Sequence, residues 1–250
     1  MPVAVIPARY GSSRLKGKPL ALIAGKPMIQ RVYEQAEKSS TVTQTIVATD
    51  DQRIVDAVEK FGGQAMMTSD TCRSGTDRVA EVAARLTLAP EEILINIQGD
   101  QPVFDPRCLD EMIAPFGAEP GLGMATLAFK IVQEREITDP KDVKVVFDRN
   151  GFALYFSRAQ IPFPRDGQAG VDYYKHLGFY AYTRQFLERI VCLPTGVCEH
   201  VEKLEQLRVL EYGHKIKVVV TPFDSPEIDL PEDIRRIEEN WPSSPDEIPV

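Results

Sequence analysis

Short apolar runs alternate with amphipathic segments through the first hundred residues of the chain. The runs have the length of buried strands, and we predict strands at 3–6, 45–49, 64–68 and 93–98. The amphipathic segments repeat apolar residues every three to four positions, and we predict helices at 28–38, from Asp50 or Asp51 onward, and at 75–86. This alternation predicts an α/β fold with a doubly wound, mostly parallel sheet covered by helices on both faces.

After about residue 120 the strand-like segments are separated by turns and loops rather than by long helices. We predict strands at 123–130, 143–148 and 152–157, a turn at Arg149-Asn150-Gly151 and a loop at 159–172. The segment from about 123 to 185 is interpreted as a smaller antiparallel insertion in the main sheet. Beyond it we predict a helix at 202–212, a strand at 215–221 and a helix at 231–240.

The 250 residues show no internal repeat and no clear linker. We therefore expect one domain over 1–241, followed by a loose proline- and serine-rich tail at 242–250. No signal peptide is visible, no apolar run reaches the length of a membrane span, and the four cysteines lack C-x-x-C spacing. The expectation is a cytoplasmic protein with reduced thiols and no membrane partner.

Positive charge is concentrated at the start of this acidic chain. Residues 1–33 contain six Lys or Arg and no Asp or Glu, which is +6, whereas the whole chain carries −8; the remaining residues therefore sum to −14. A local excess of positive charge in an acidic protein indicates a small anionic ligand rather than a nucleic acid.

The loop after the first strand carries that charge. It combines Arg9, Arg14, Lys16 and Lys18 with Gly11, Ser12 and Ser13, and no acid. Small residues let backbone amides approach an anion closely, so we interpret the loop as a phosphate-binding site. Its spacing fits neither a Walker A loop nor the G-x-G-x-x-G dinucleotide motif. A solvated basic surface loop remains the alternative.

Two further segments contain candidate site residues. Asp100 follows a predicted buried strand, where a carboxylate can hold magnesium against a nucleotide, although a turn residue or helix cap is the commoner role. Ser74 and Asp77 have the spacing of a capping box, which leaves the flanking Arg73 and Arg78 unexplained. Capping and ligand binding can coexist in that segment.

Six motifs in order resemble one family, the 3-deoxy-manno-octulosonate (Kdo) cytidylyltransferases, also called CMP-Kdo synthetases. The resemblance extends to about residue 239, and the matching motifs lie at 6–20, 74–78, 96–100, 153–158, 176–178 and 202–208. It implies a nucleotide-diphospho-sugar transferase-like fold. One departure is Leu230, where the family usually has threonine.

The resemblance also implies roles for individual residues. The triphosphate would be held by Arg9, Ser12, Ser13, Arg14 and Lys18, and the cytidine by Arg73, Ser74 and Arg78. Asp100 and Asp229 would hold Mg²⁺. The acid sugar would be bound by Gln98, Arg158, Arg165, His176, Tyr180, Glu205 and Gln206. Catalysis would depend on Arg9, Arg14, Lys18, Asp100 and Asp229.

Without the resemblance, simpler interpretations hold for several of these residues. Asp229 can cap the helix that begins at Pro231, and His176 can be a structural histidine. The polar residues assigned to the sugar can be ordinary surface residues.

The implied activity is magnesium-dependent transfer of CMP from CTP to the anomeric hydroxyl of Kdo, with release of pyrophosphate. Such an enzyme activates Kdo for lipopolysaccharide synthesis and is typically a homodimer. No general base is obvious in the sequence. A cytidylyltransferase for another acid sugar, such as a nonulosonate, and a non-catalytic nucleotide-binding module are the alternatives.

Overall fold

One nine-stranded sheet organises the protein, whose computed structural model describes residues 1–11, 15–165, 167, 170–239 and 241. The strands are β1 (Val3–Ala8), β2 (Leu22–Ile23), β3 (Lys26–Pro27), β4 (Gln44–Thr49), β5 (Ala65–Met67), β6 (Ile93–Asn96), β7 (Met124–Lys130), β8 (Lys144–Phe147), β9 (Ala153–Ser157), β10 (Tyr174–Thr183) and β11 (Lys217–Thr221). The helices are α1 (Met28–Ala36), α2 (Gln52–Lys60), α3 (Gly75–Arg85), α4 (Arg107–Ala118), α5 (Glu134–Thr138), α6 (Arg184–Val191), α7 (Val197–Glu202), α8 (Gln206–Glu211) and α9 (Pro231–Glu239).

The sheet is mixed. Its path runs β11-β7-β10-β6-β1-β4-β5, and the hairpin of β8 and β9 attaches to β10. The strands β1, β4, β5 and β6 are parallel to their neighbours within this group, and β11 is parallel to β7. β10 is antiparallel to both β6 and β7. The predicted antiparallel segment therefore joins the main sheet, and a small separate hairpin is formed by β2 and β3.

Helices cover both faces of the sheet, as the alternating pattern predicts. On one face, α1, α2 and α4 bury side chains such as Ile29, Ile54 and Met112. On the other face, α3, α6 and α8 bury residues that include Val79 and Leu187. Burial of apolar surface on both sides stabilises the sheet and fixes its edges in space.

Most predicted helices and strands are confirmed, and two differences have clear causes. The predicted helix at 202–212 is wrong in its first half, because the chain forms α7 and α8 with Lys203 between them at φ 55°. The helices α4, α5 and α6 and the strand β10 are missing from the sequence prediction. In α4, Pro115 and Gly117 interrupt the pattern.

Local signals at the helix starts behave as expected. Ser74 and Asp77 form the predicted capping box of α3. Asp51 caps α2 by accepting a hydrogen bond from the Arg53 amide at 3.0 Å. The tail at 242–250 lies outside the described residues. Among the helices that the structure describes, none is long and apolar enough to cross a bilayer.

Candidate active site

A cavity of about 1380 Å³ lies beyond the ends of the central strands. Its walls come from the segments that follow β6 and β11, from the middle of β10 and from the start of α8. In open α/β sheets the strand ends converge at such a crevice, which is where ligands bind. The sheet therefore gathers residues that are far apart in the sequence.

Lys18 joins two carboxylates at this cavity. Its ammonium donates hydrogen bonds to Asp100 Oδ2 at 2.7 Å and to Asp229 Oδ1 at 2.9 Å. The Lys18 side chain is 12% exposed and that of Asp229 8%, whereas that of Asp100 is 31% exposed. A second cation, Lys141, lies 4.0 Å from Asp229 Oδ2. Asp100 and Asp229, predicted as a pair, are therefore neighbours.

The loops that carry these groups are tied to one another. The Ile228 amide donates to the Asp100 carbonyl oxygen at 2.9 Å. Next to it, the Gln101 amide group donates to the Leu177 carbonyl at 2.8 Å and its oxygen accepts from Ser225. These bonds connect the segments after β6 and β11 to β10, so the backbone segments that carry the two carboxylates are held together.

The electrostatics of this cluster are dominated by its acids. Burial opposes the charge on Lys18, but the attraction of Asp100 and Asp229 outweighs it and raises the pKa of the ammonium. Glu227 is exposed and lines the cavity. Desolvation by the surrounding protein, followed by repulsion from the two aspartates, raises the pKa of its carboxyl to about 7.

A bulge in β10 shapes the neighbouring wall. The pairing of β10 with β7 shifts register between His176 and Tyr180, and Gly178 within this bulge has φ 78°. The Gln98 side-chain amide donates to the Gly178 carbonyl at 2.9 Å. The rings of His176 and Tyr180 lie 5.3 Å apart, and both residues line the cavity.

Hydrogen bonding defines the state of His176. The Thr126 hydroxyl donates to the Phe179 carbonyl at 2.6 Å, so at 2.8 Å it accepts from His176 Nε2. The imidazole therefore carries its proton on Nε2, and Nδ1 remains an acceptor. Burial lowers the pKa of His176 to about 3, which keeps the ring neutral at neutral pH.

The start of α8 meets the start of α3 at the far end of the cavity. Glu205 accepts hydrogen bonds from Ser74 Oγ at 3.2 Å and Thr76 Oγ1 at 3.1 Å. Burial raises the pKa of Glu205 despite these donors and Arg208. The next residue, Gln206, is buried, and its side-chain nitrogen has no hydrogen-bond partner in the described structure. A ligand hydroxyl can satisfy that donor.

Two of the arginines predicted to bind ligand, Arg78 and Arg158, donate hydrogen bonds within the protein. Arg78 is buried and donates to Asp50 Oδ2 and Thr68 Oγ1, both at 2.6 Å, so its guanidinium is used by the fold. Arg158 lines the cavity, but its Nε donates to the Glu202 carbonyl at 2.8 Å.

Other predicted residues do not line the described cavity or lie outside the described residues. Three arginines are exposed and are not among the described residues that line the cavity: Arg9, Arg73 and Arg165. Three residues of the basic loop lie outside the described residues: Ser12, Ser13 and Arg14.

Sequence reasoning missed several cavity residues, among them Glu227, Lys141 and Asn96. Glu227 and Lys141 carry no local signal, because each is a single charged residue in a loop. Asn96 ends β6 within one of the matching motifs, so it could have been found. It is 2% exposed, and its Oδ1 has no hydrogen-bond partner in the described structure.

The carboxylate pair has the chemistry of a small metal site. Within the part of the chain that the structure describes, no group of three or more His, Cys, Asp or Glu side chains could hold a metal. Magnesium commonly takes only one or two carboxylates together with phosphate oxygens and water. Asp100 and Asp229 already share one cationic group, Lys18 Nζ, so the donor set fits a cation between them.

Comparisons with known proteins agree with this geometry. A family model described as Cytidylyltransferase matches residues 3–216. The chain is 67% identical to 3-deoxy-manno-octulosonate cytidylyltransferase of Desulfatibacillum aliphaticivorans over 94% of this chain and 96% of that protein. It is 58% identical to 8-amino-3,8-dideoxy-manno-octulosonate cytidylyltransferase of Shewanella piezotolerans, over 92% of this chain and 94% of that protein.

A solved structure is similar along nearly the whole chain. It is a CMP:2-keto-3-deoxy-manno-octonic acid synthetase complexed with CTP, which has a TM-score of 0.89 and 44% identity and covers 95% of this chain and 97% of that one. A cytidylyltransferase from Leptospira borgpetersenii matches with a TM-score of 0.62 at 17% identity, which shows a shared fold.

Proposed function

Because the chain belongs to the 3-deoxy-manno-octulosonate cytidylyltransferase family, we propose that it transfers CMP from CTP to the anomeric hydroxyl of Kdo. The observation that carries the proposal is one cavity of the described structure, whose lining includes His176, Glu205 and Asp229, and Asp229 in turn binds Lys18 at 2.9 Å. One end offers charges for a triphosphate and the other offers hydrogen-bonding groups for a sugar. The product would be an activated sugar for lipopolysaccharide synthesis in the cytoplasm.

The reaction is a displacement at phosphorus. The anomeric oxygen forms a bond to the α-phosphorus, the bond from that phosphorus to the bridging oxygen breaks, and pyrophosphate leaves with the electron pair. The hydroxyl proton is released to solvent. Positioning and charge stabilisation supply most of the catalysis in such transfers. The role of the protein is to hold the attacking oxygen, the phosphorus and the leaving group in line.

Magnesium is the cofactor that we propose, held by Asp100 and Asp229. When bound, it would supply positive charge to the oxygens around the α-phosphorus. Lys18 and the cations of the basic loop would hold the remaining phosphate charge.

On the sugar side, neutral His176 can accept a hydroxyl through Nδ1, Glu205 can accept a second, and Gln206 has a free donor for a third polar atom. Arg158 lines the same cavity and donates from Nε to the Glu202 carbonyl, and it is the residue that we propose for the sugar carboxylate.

A second acceptor follows from the relatives that carry 8-amino sugars in their names. The cavity wall includes Asp142, whereas Glu136 and Asp224 on the same wall are ion-paired with Lys175 at 2.8 Å. A protonated amine on the sugar would be attracted to the Asp142 carboxyl. We therefore include the 8-amino sugar as an alternative acceptor, beside another acid sugar such as a nonulosonate.

Pyrophosphate release tests the proposal. Purified protein is incubated with each of the four nucleoside triphosphates, crossed with Kdo, its 8-amino analogue and a nonulosonate. We expect release with CTP and Kdo and little with ATP, GTP or UTP. Equal turnover with UTP would refute cytosine recognition, and no turnover with any acid sugar would favour a non-catalytic nucleotide-binding module.

We propose a homodimer, and one exposed apolar surface suits a second copy of the chain. On α7, Val197 and Val201 are 75% and 73% exposed, and they lie one helical turn apart. Leu154 on β9 is 63% exposed. The bond from Ser157 Oγ to Glu202, 2.6 Å long, joins β9 to α7. Exposed apolar side chains on adjoining elements are typical of protein interfaces.

A further inference from the structure

Lys18 occupies the position between the two carboxylates that a metal ion would need. Its Nζ is 2.7 Å from Asp100 Oδ2 and 2.9 Å from Asp229 Oδ1. The three residues come from separate segments, 82 and 211 residues apart along the chain. Because the loops after β1, β6 and β11 meet here, the ammonium neutralises two carboxylates that would otherwise repel each other.

An ammonium and a divalent cation compete for the space between these two carboxylates. Magnesium binds carboxylate oxygens at about 2.0–2.1 Å. The lysine nitrogen hydrogen-bonds to the same oxygen atoms from between them, and two cations a few ångströms apart repel strongly where solvent is partly excluded. A metal that binds between the two carboxylates therefore displaces the ammonium.

The local structure allows the side chain to move while the backbone stays in place. Lys18 begins a short 3-10 turn, Lys18–Leu20, after Gly17 at φ 70°. Its amide donates to the Leu15 carbonyl at 3.0 Å and its carbonyl accepts from Ala21 at 3.1 Å. The four-carbon side chain with three donors can exchange one set of anionic partners for another.

We propose that Lys18 is a positioning residue that acts as a stand-in cation, holding Asp100 and Asp229 together until nucleotide and metal bind. The phosphates of the incoming nucleotide then provide new partners for the ammonium, and the carboxylates become available to the metal. Metal affinity should consequently be low without nucleotide and higher with it, and by linkage the metal should raise nucleotide affinity by the same factor. The nucleotide half of this scheme rests on the proposed function, whereas the competition between cations does not.

Direct metal binding tests the competition. Mn²⁺ binding is measured without nucleotide, by electron paramagnetic resonance and by calorimetry, for the wild type, Lys18→Met and the control Lys26→Met. Lys26 donates to Glu34 and lies outside the cavity wall as described, so its loss changes net charge equally. We expect Lys18→Met to bind Mn²⁺ about tenfold more tightly or better, which corresponds to ~1.4 kcal/mol, and Lys26→Met to match the wild type.

The response to nucleotide gives a second readout. A non-hydrolysable CTP analogue, with correction for Mn²⁺ bound to free analogue, should raise the Mn²⁺ affinity of the wild type more than that of Lys18→Met. Equal or weaker Mn²⁺ binding by Lys18→Met without nucleotide would overturn the proposal. If Lys18→Met does not fold, as judged by circular dichroism, Lys18→Gln replaces it and the same outcomes apply.

These measurements are independent of turnover. Tighter Mn²⁺ binding by Lys18→Met together with no reaction on any acid sugar would retain the stand-in role and reject the proposed function. Turnover of Kdo by the wild type, with Mn²⁺ binding unchanged in Lys18→Met, would retain the proposed function and reject the stand-in role.

Discussion

Asp100 and Asp229 share one lysine but have different surroundings. The side chain of Asp100 is 31% exposed and that of Asp229 is 8% exposed. At the start of α9, the Asp233 carboxylate accepts hydrogen bonds from the backbone amides of Asp229 and Leu230, both at 2.9 Å. The helix start thus has its own acceptor, and the carboxylate of Asp229 is directed to Lys18.

The metal-ligand hypothesis predicts what Asp229→Asn does. Asparagine keeps the shape and removes the charge that holds a hard cation. The variant should fold, need more Mg²⁺ and lose roughly two to three orders of magnitude in kcat, the range for one preorganised charge contact. Asp100→Asn should behave alike, and the double variant should be little worse than either. Steady-state kinetics across a magnesium series provide the measurement, and a fully active Asp229→Asn at low magnesium would contradict it.

The pKa of His176 predicts how the stability of the protein changes with pH. Its pKa is lowered to about 3 by burial, whereas in the unfolded chain it is about 6.5. Between these values the unfolded state binds a proton that the folded state does not, so stability falls as pH decreases from about 6.5 towards 3, by at most ~1.4 kcal/mol per pH unit.

Urea unfolding of the wild type and His176→Gln at pH 7, 5.5 and 4.5 measures this difference. The stability advantage of the wild type over the variant should shrink as the pH falls. Because the other titrating groups are shared, their contributions largely cancel in the comparison. An advantage that stays constant with pH would show that His176 protonates freely in the folded protein.

At the scale of elements, β10 has two functions in one strand. It continues the sheet by pairing with β6 and β7, and its bulge directs His176 and Tyr180 towards the cavity. The carbonyls of Leu177 and Gly178 in the bulge accept hydrogen bonds from Gln101 and Gln98, which follow β6. Bulges commonly re-aim side chains beside binding sites.

This arrangement predicts that Gly178→Ala weakens sugar binding. At φ 78° an alanine costs roughly 1–2 kcal/mol of stability, and its methyl group would touch the Gln98 side chain at 3.4 Å. The control is Gly121→Ala, at φ 84° with no atom within 4 Å of the added carbon. Both variants should lose similar stability in thermal denaturation, but only Gly178→Ala should raise KM for the sugar acid. Equal KM values would show that the bulge does not shape the sugar site.

For the whole molecule, charge is distributed unevenly. The first 33 residues carry +6 in a chain of net charge −8. Such a field attracts anionic substrates to one region and disfavours binding to a long polyanion. The exposed apolar residues of α7 and β9 are not among the described residues that line the cavity.

The proposed dimer predicts the effect of the double substitution Val197→Asp, Val201→Asp. Burying two new carboxylates in an interface is unfavourable, so the variant should be monomeric by light scattering after size-exclusion chromatography, at concentrations where the wild type is dimeric. Leu22→Asp, on β2 and 59% exposed, is the control and should remain dimeric. A monomeric wild type, or a dimeric double variant, would reject this surface as the interface.

Local patterns determined the elements of this protein because periodicity and caps act within a few residues. They identify the strands at the centre of the sheet, the capping box at Ser74 and the turn at Gly151, and the motif at Asp100 points to the site. The pattern fails where an effect is not local. Lys203 takes a left-handed conformation that its residue type does not announce, and the turn breaks the predicted helix.

Only the tertiary structure decided which side chains meet. Lys18, Asp100 and Asp229 are joined because parallel strands end at one edge of the sheet, and no short-range pattern contains that distance. The fold likewise pairs Arg78 with Asp50 and leaves Arg165 exposed. Both arginines were candidates for ligand binding, and the sequence alone did not distinguish them. Glu227 acquires its raised pKa from neighbours that the sheet brings together. Burial and charge at a site depend on contacts between distant segments. The sequence therefore indicates which residues could form the site, and the fold determines which of them meet.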